Sequence, residues 1–136
     1  MSEIKLPKVG LYKSWVANPD EGWTRWLFEQ FEIPFKNIHN ADIRAGNLNN
    51  RFDVIVIPGQ EVSTIINGHK EGTMPPRYIG GIGEKGIENL KKFAGNGGTI
   101  ITLNTACNLL CYYFDIPVKN ILKETKPEKF FCSGSI

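Results

Sequence analysis

Gly97-Gly98-Thr99-Ile100-Ile101-Thr102-Leu103-Asn104-Thr105-Ala106-Cys107 reads as a β-strand that turns sharply into a helix. The apolar and β-branched run from Thr99 to Leu103 suits a strand covered on both faces. Ala106, Leu109, Leu110, Tyr113 and Phe114 then recur at helical spacing, so a helix is expected to run to about Phe114. In α/β hydrolytic folds such an elbow displays a nucleophile, because the tight turn pushes one side chain out of the sheet. Here the residue at the turn is Asn104, whose amide cannot attack a carbonyl. The stretch has the architecture of an enzyme site without the reactive atom.

Upstream, strand and helix patterns alternate. Val9–Tyr12 reads as a first short strand and Trp15–Pro19 as a loop, with Asp20 as the N-cap of the next helix. That helix is expected over Glu21–Glu32, with Trp23, Trp26, Leu27, Gln30 and Phe31 on one face, and Pro34 ends it. Phe35–His39 forms a second strand, and Val54–Ile57 a buried third one stopped by Pro58-Gly59. The glycine-rich segment from Gln60 to Gly83 reads mostly as loop, with a short helical turn around Val62–Ile66. Glu84–Ala94 is a clear helix with Ile87, Leu90, Phe93 and Ala94 on its apolar side, stopped by Gly95-Asn96-Gly97-Gly98. After the third helix, Pro117–Lys119 reads as extended. Strands alternating with helices imply a mainly parallel sheet covered on both faces, with right-handed crossovers. Lys129-Phe130-Phe131-Cys132 looks like the start of a further strand, the pattern of a domain fragment cut from a longer polypeptide.

Composition narrows the function classes. The 136 residues make one domain, 41% hydrophobic and 22% charged, as in ordinary globular proteins. A formal charge of +2 gives no electrostatic argument for nucleic acid or for an anionic membrane. Lys119, Lys123, Lys126 and Lys129 are interleaved with Glu124 and Glu128, as on a solvated face. No apolar run approaches the roughly 20 residues that span a bilayer, and the first residues lack the apolar core of a signal peptide. The three cysteines, Cys107, Cys111 and Cys132, form no even disulfide framework. Neither His39 nor His69 lies at a metal-ligand spacing, so no metal and no cofactor is expected.

The polar candidates are few. Cys107 lies near a helix N-terminus, where the macrodipole favours thiolate, yet it stands three residues beyond the elbow. The plainer reading makes Cys107 and Cys111 small packing residues on one helix face. Gly59, Gln60, Glu61, Asn104 and Thr105 fall at the carboxyl ends of strands, where such folds bind ligands. Gly81-Ile82-Gly83-Glu84-Lys85-Gly86 matches a dinucleotide pattern but follows a long loop rather than the first strand. Its glycines more simply allow a tight turn into a helix. Trp15, Trp23, Trp26 and Arg25 suit helix–sheet packing; the alternative is an aromatic docking surface, since Trp and Arg are enriched in interface hot spots. Asp20 and Glu21 read as helix-start residues rather than general acids.

Val9-Gly10-Leu11-Tyr12, Trp15-Val16-Ala17-Asn18-Pro19-Asp20-Glu21-Gly22-Trp23-Thr24-Arg25-Trp26, Ala41-Asp42-Ile43-Arg44-Ala45-Gly46, Arg51-Phe52-Asp53-Val54-Ile55, Gly80-Gly81-Ile82-Gly83 and Gly97-Gly98-Thr99 carry a resemblance. Together they are similar to the class I glutamine amidotransferase-like domain found at the C-terminal end of a family of bacterial zinc carboxypeptidase-like proteins. The tryptophan-rich segment is the specific part, and the match covers nearly the whole of residues 1–136. The resemblance implies a flavodoxin-like three-layer sandwich, a separate peptidase domain attached as partner, and further strands beyond Ile136.

It also implies what is missing. A zinc carboxypeptidase needs a His and a Glu close in sequence plus a downstream His, and His69-Lys70-Glu71 is too tight for that motif. An amidotransferase needs a Cys at the elbow and a later His–Glu pair, whereas Asn104 holds the elbow and no His follows it. The expectation is therefore a non-catalytic accessory domain of a zinc carboxypeptidase-like protein, with peptidase chemistry elsewhere in the parent and self-association of the exposed apolar surface. The alternatives are a small-molecule-binding or hydrolytic enzyme using the crevice near Asn104 and Cys107, and a stand-alone nucleotide carrier.

Overall fold

The structure, a computed structural model, describes residues 6–126 and Lys129. It is an α/β fold with a four-stranded, all-parallel sheet: β1 (Val9–Tyr12), β2 (Phe35–Ile38), β3 (Val54–Ile57) and β4 (Thr99–Thr102), in the order β2-β1-β3-β4. Helices flank it on both faces in a flavodoxin-like three-layer sandwich. They are α1 (Pro19–Gln30), α2 (Asn40–Ala45), α3 (Val62–Asn67), α4 (Gly83–Gly95) and α5 (Cys107–Tyr113), with short 3₁₀ turns at Leu48–Asn50, Pro76–Tyr78 and Asn104–Ala106.

The strand order sends the chain outward from β1 to β2 and then back across β1 to β3. Crossovers of one hand must then lie on opposite faces of the sheet. The packing agrees. Tyr12, Ile38, Ile55 and Ile57 share the main core with Ile43 of α2, Ile65 of α3, Leu90 and Phe93 of α4, and Leu109 of α5. On the other face Val9, Leu11 and Val56 form a small cluster, against which Phe28 of α1 packs.

Several expectations shift. Asn18, not Asp20, caps α1: its Oδ1 accepts from the Asp20 N–H at 3.1 Å, which moves the helix start to Pro19. The helix ends at Gln30, four residues before Pro34, and Glu32 turns out of it at a φ of 51°. Strand β2 stops at Ile38 because His39 is already the N-cap of α2, a helix of six residues that periodicity does not reveal. Pro117–Lys119 forms no strand. The strand expected to start at Lys129 falls on residues of which only Lys129 is described.

The larger corrections concern burial. The stripe on α1 that should pack on the sheet faces outward: Trp23 is 69% exposed, Trp26 52% and Phe31 71%. Helix–sheet packing is therefore not the role of Trp23 and Trp26. The elbow strand is not covered on both faces either. Ile101 pairs with Val56 and so lies on the α1 face, where it is 43% exposed. Helix α1 lies over β1, with Phe28 against the Val9, Leu11 and Val56 cluster, and among the described residues β4 is left exposed at Ile101.

Candidate functional site

Sequence-distant polar residues converge at the carboxyl ends of the strands, beside the point where the strand order reverses. The turn after β3 brings Gly59 against the start of α1, and a Cβ there would collide with Asp20 Oδ2. The same Cβ would come within 3.1 Å of Asn104 Cβ, in the turn after β4. Asp20 at the start of α1 and Asn104 in the turn after β4 thus both lie against Gly59, and a larger residue there would have to push the Asp20 carboxylate aside. Asn104 takes the strained elbow backbone, with φ 48°, a left-handed conformation that Asn tolerates better than most residues. The expected elbow exists, and an amide occupies it.

Glu21, one residue after Asp20, is a buried polar side chain of α1. It is 5% exposed, and Arg25 Nε stands 3.6 Å from its Oε1, one turn along the helix. Glu21 Oε1 and Gln60 Oε1 are buried without a hydrogen-bond partner among the described residues. Asp20 and Glu21 sit in the first turn of α1, where the helix dipole favours negative charge. Thr24 Oγ1 donates to Asp20 O at 2.7 Å and holds that turn.

Of the other sequence candidates, Glu61 is exposed and serves as the residue before α3, and Thr105 is half-buried in the 3₁₀ turn. Cys107 is not a packing residue. It is exposed, and its thiol donates to Thr102 O at 3.2 Å, while Cys111 is half-buried. Arg25 is an ion-pair partner on α1 rather than part of the Trp surface alone.

Trp15 leaves the tryptophan group altogether and joins a second cluster at the same end of the sheet. Its ring stacks on His39 at 4.1 Å between centroids, and Tyr78 meets it edge-on at 4.8 Å. His39 Nδ1 donates to Lys13 O at 2.8 Å, and His69 Nε2 donates to Trp15 O at 3.1 Å. The two histidines thus tie the β1–α1 loop to α2 and to the long loop before α4. Below them Tyr12 OH donates to Asn40 Oδ1 at 2.6 Å, and Asn40 Nδ2 donates to Gly80 O at 2.8 Å. Arg44 donates to Gly81 O from the same helix. The Gly81–Gly86 stretch does open a helix, with Gly83 at φ 60°, as the turn reading expects.

Asp20 and Glu21 are helix-start residues, as the sequence suggests: both lie in the first turn of α1. Among the described residues no group of three or more His, Cys, Asp and Glu side chains could hold a metal ion. No helix among them is long and apolar enough to cross a membrane. A cavity of about 360 Å³ lined by Pro7, Phe35, Arg51 and Phe52 lies at the opposite, amino end of the strands, away from all these residues. Comparison of the chain with models of protein families, with curated proteins and with solved structures yields no match.

Proposed function

We propose that this chain is a non-catalytic glutamine amidotransferase-like module that docks onto an attached peptidase domain through the outer face of α1. The observation that carries the reading is the outward stripe of that helix, where Trp23 and Trp26 meet edge-on at 6.5 Å between centroids with Phe31 beyond them. Large aromatic rings held on a regular helix and left in water are typical anchors of an interface. The elbow supports the same reading, because the Asn104 amide offers neither a nucleophile nor a base. The decisive measurement is calorimetric titration of the chain with the peptidase domain of the parent protein. Trp23→Ala with Trp26→Ala should weaken binding at least tenfold, and unchanged affinity refutes the docking role. The purified chain should release no ammonia from glutamine above a blank and should bind no stoichiometric zinc.

The second reading, a small-molecule-binding or hydrolytic enzyme at the crevice, rests on the convergence of Asp20, Gly59 and Asn104 with an exposed thiol at Cys107 nearby in sequence. Rapid alkylation of Cys107 at neutral pH, with Cys111 and Cys132 unlabelled, would favour it. Alkylation at the rate of a free thiol in solution favours docking.

A further inference from the structure

Among the described residues, the cavity of about 360 Å³ at the amino end of the strands combines apolar walls with charge of one sign. Its volume falls in the range of small-molecule sites, roughly 300–1,000 Å³. In the register of β1 and β2, Val9 stands beside Phe35 and Gly10 beside Lys36. The Phe52 ring lies over Gly10, so close that a Cβ there would meet it at 3.0 Å. Phe35 packs with the small cluster on one face of the sheet and Phe52 with the main core on the other, and both reach the cavity. Pro7 and Pro34 complete the apolar lining. Such walls offer water few hydrogen bonds, and an apolar group displaces poorly held water at a gain.

Lys8, Lys36 and Arg51 also line the cavity, and no acidic residue does. Both lysines are exposed, and among the described residues neither is ion-paired. Arg51 Nη2 donates to Asp42 Oδ1 at 3.0 Å, and its guanidinium stands 5.1 Å from the centre of the Phe52 ring. Asp53 is engaged with the backbone, accepting the Lys8 N–H at 2.7 Å, and Glu32 lines an adjoining hollow instead. A cationic rim on apolar walls selects a ligand of matching polarity. A neutral apolar molecule makes no use of the lysines, and a small hydrophilic anion gains nothing from the rings. A carboxylate on an apolar body uses both: the body displaces water from the walls, and the carboxylate accepts charge-assisted hydrogen bonds from the ammonium groups.

We propose that this cavity binds a small amphipathic monocarboxylate, its apolar body against Phe35, Phe52 and the two prolines and its carboxylate held by Lys8 and Lys36. The site lies at the amino end of the strands, so it stands or falls independently of docking through Trp23 and Trp26.

The probe is 4-phenylbutyrate, titrated against the whole chain while the backbone amide signals of Phe35, Lys36 and Phe52 are followed. As controls, 4-phenyl-1-butanol carries the same body without the charge, and acetate the charge without the body. The expected result is a saturable shift of those three signals with phenylbutyrate, binding at least fivefold weaker with the alcohol, and no saturable shift with acetate. The Cys107 amide, at the far end of the strands, should not respond. Lys8→Glu and Lys36→Glu reverse exposed charges, so both should fold. Each should weaken phenylbutyrate binding at least threefold and leave the alcohol's affinity unchanged, and Trp23→Ala should alter neither. Equal affinity for acid and alcohol, saturable binding of acetate, or undiminished binding by the folded lysine variants overturns the proposal. So does movement of the same signals on raising protein concentration without ligand, which would seat a second copy in the cavity. The absence of any saturable shift overturns it as well, since water or residues 1–5 would then fill the space.

Discussion

The Tyr12 hydroxyl and the Asn40 amide form one buried polar chain that joins β1, α2 and the loop at Gly80. Tyr12→Phe leaves Asn40 Oδ1 buried without its donor, which should cost about 1–3 kcal/mol in denaturant unfolding. Burial pushes the Tyr12 phenol well above its ordinary value, against smaller opposing effects of Ser14 and Arg44. The unfolded chain therefore loses this proton first, and stability should fall as pH rises beyond about 10. Tyr12→Phe should flatten that alkaline loss. Asp42 has the opposite sign. Burial would raise its carboxyl, but the His39 N–H at 2.9 Å and the Arg51 guanidinium at 3.0 Å hold it below the usual carboxylate range. Its contribution is complete at neutral pH and lost as pH falls through the lowered value, since the unfolded state takes up the proton sooner. An acid titration of stability should be shallower for Asp42→Asn below about pH 4. At the elbow, Asn104→Gly should be tolerated, whereas Asn104→Val forces a β-branched residue to positive φ and should cost about 1–2 kcal/mol.

Helix α1 shows that the most apolar stripe need not be the buried one. Trp23, Trp26, Leu27 and Phe31 satisfy the helical period, yet the residue of α1 that meets the small sheet cluster is Phe28. The sheet surface within reach consists of Val9, Leu11 and Val56, and Phe28 meets it while packing edge-on against Phe35 at 5.6 Å between centroids. Substitutions on the two faces should therefore separate. Trp23→Ala and Trp26→Ala should each change unfolding free energy by no more than about 0.5 kcal/mol. Phe28→Ala should cost about 2 kcal/mol through the lost contacts under the helix. A large loss for the tryptophan variants in thermal unfolding would place those rings in the core after all. Helix α4 behaves as its single stripe predicts, with Ile87, Leu90 and Phe93 buried.

At the scale of the molecule, the sheet is unevenly clothed. Among the described residues four helices cover one face, while on the other α1 packs on the Val9, Leu11 and Val56 cluster and leaves Ile101 and Leu103 in contact with water. Strand β4 lies at the edge of the described sheet, with backbone groups free to pair. An open apolar half-face beside an open edge should drive self-association of the isolated chain. In sedimentation velocity, the wild type should sediment faster as concentration rises. Ile101→Glu combined with Trp23→Glu should abolish that dependence without lowering the melting temperature. A monomer across the whole concentration range, in both proteins, would show that the open face is inert.

What the sequence determined by itself is the order of the four strands and the longer helices, and the elbow. The β-branched runs at Val54–Ile57 and Thr99–Thr102, the glycine stop after α4 and the Asn at the strand-to-helix turn are all local signals, set by neighbours within a few residues. Tertiary structure alone decided which faces are covered. Alternating strand and helix patterns do not say how far α1 reaches across the sheet, so the outward Trp stripe and the bare side of β4 could not be read from periodicity. Helix α2, with six residues, is too short to show a period and owes its place to Asn40, Ile43 and Arg44 bonding and packing against distant segments. The candidate site is tertiary in the same sense. Asp20 opens α1, Gly59 follows β3 and Asn104 follows β4, and only the parallel sheet, which gathers the ends of its strands on one side, brings them together.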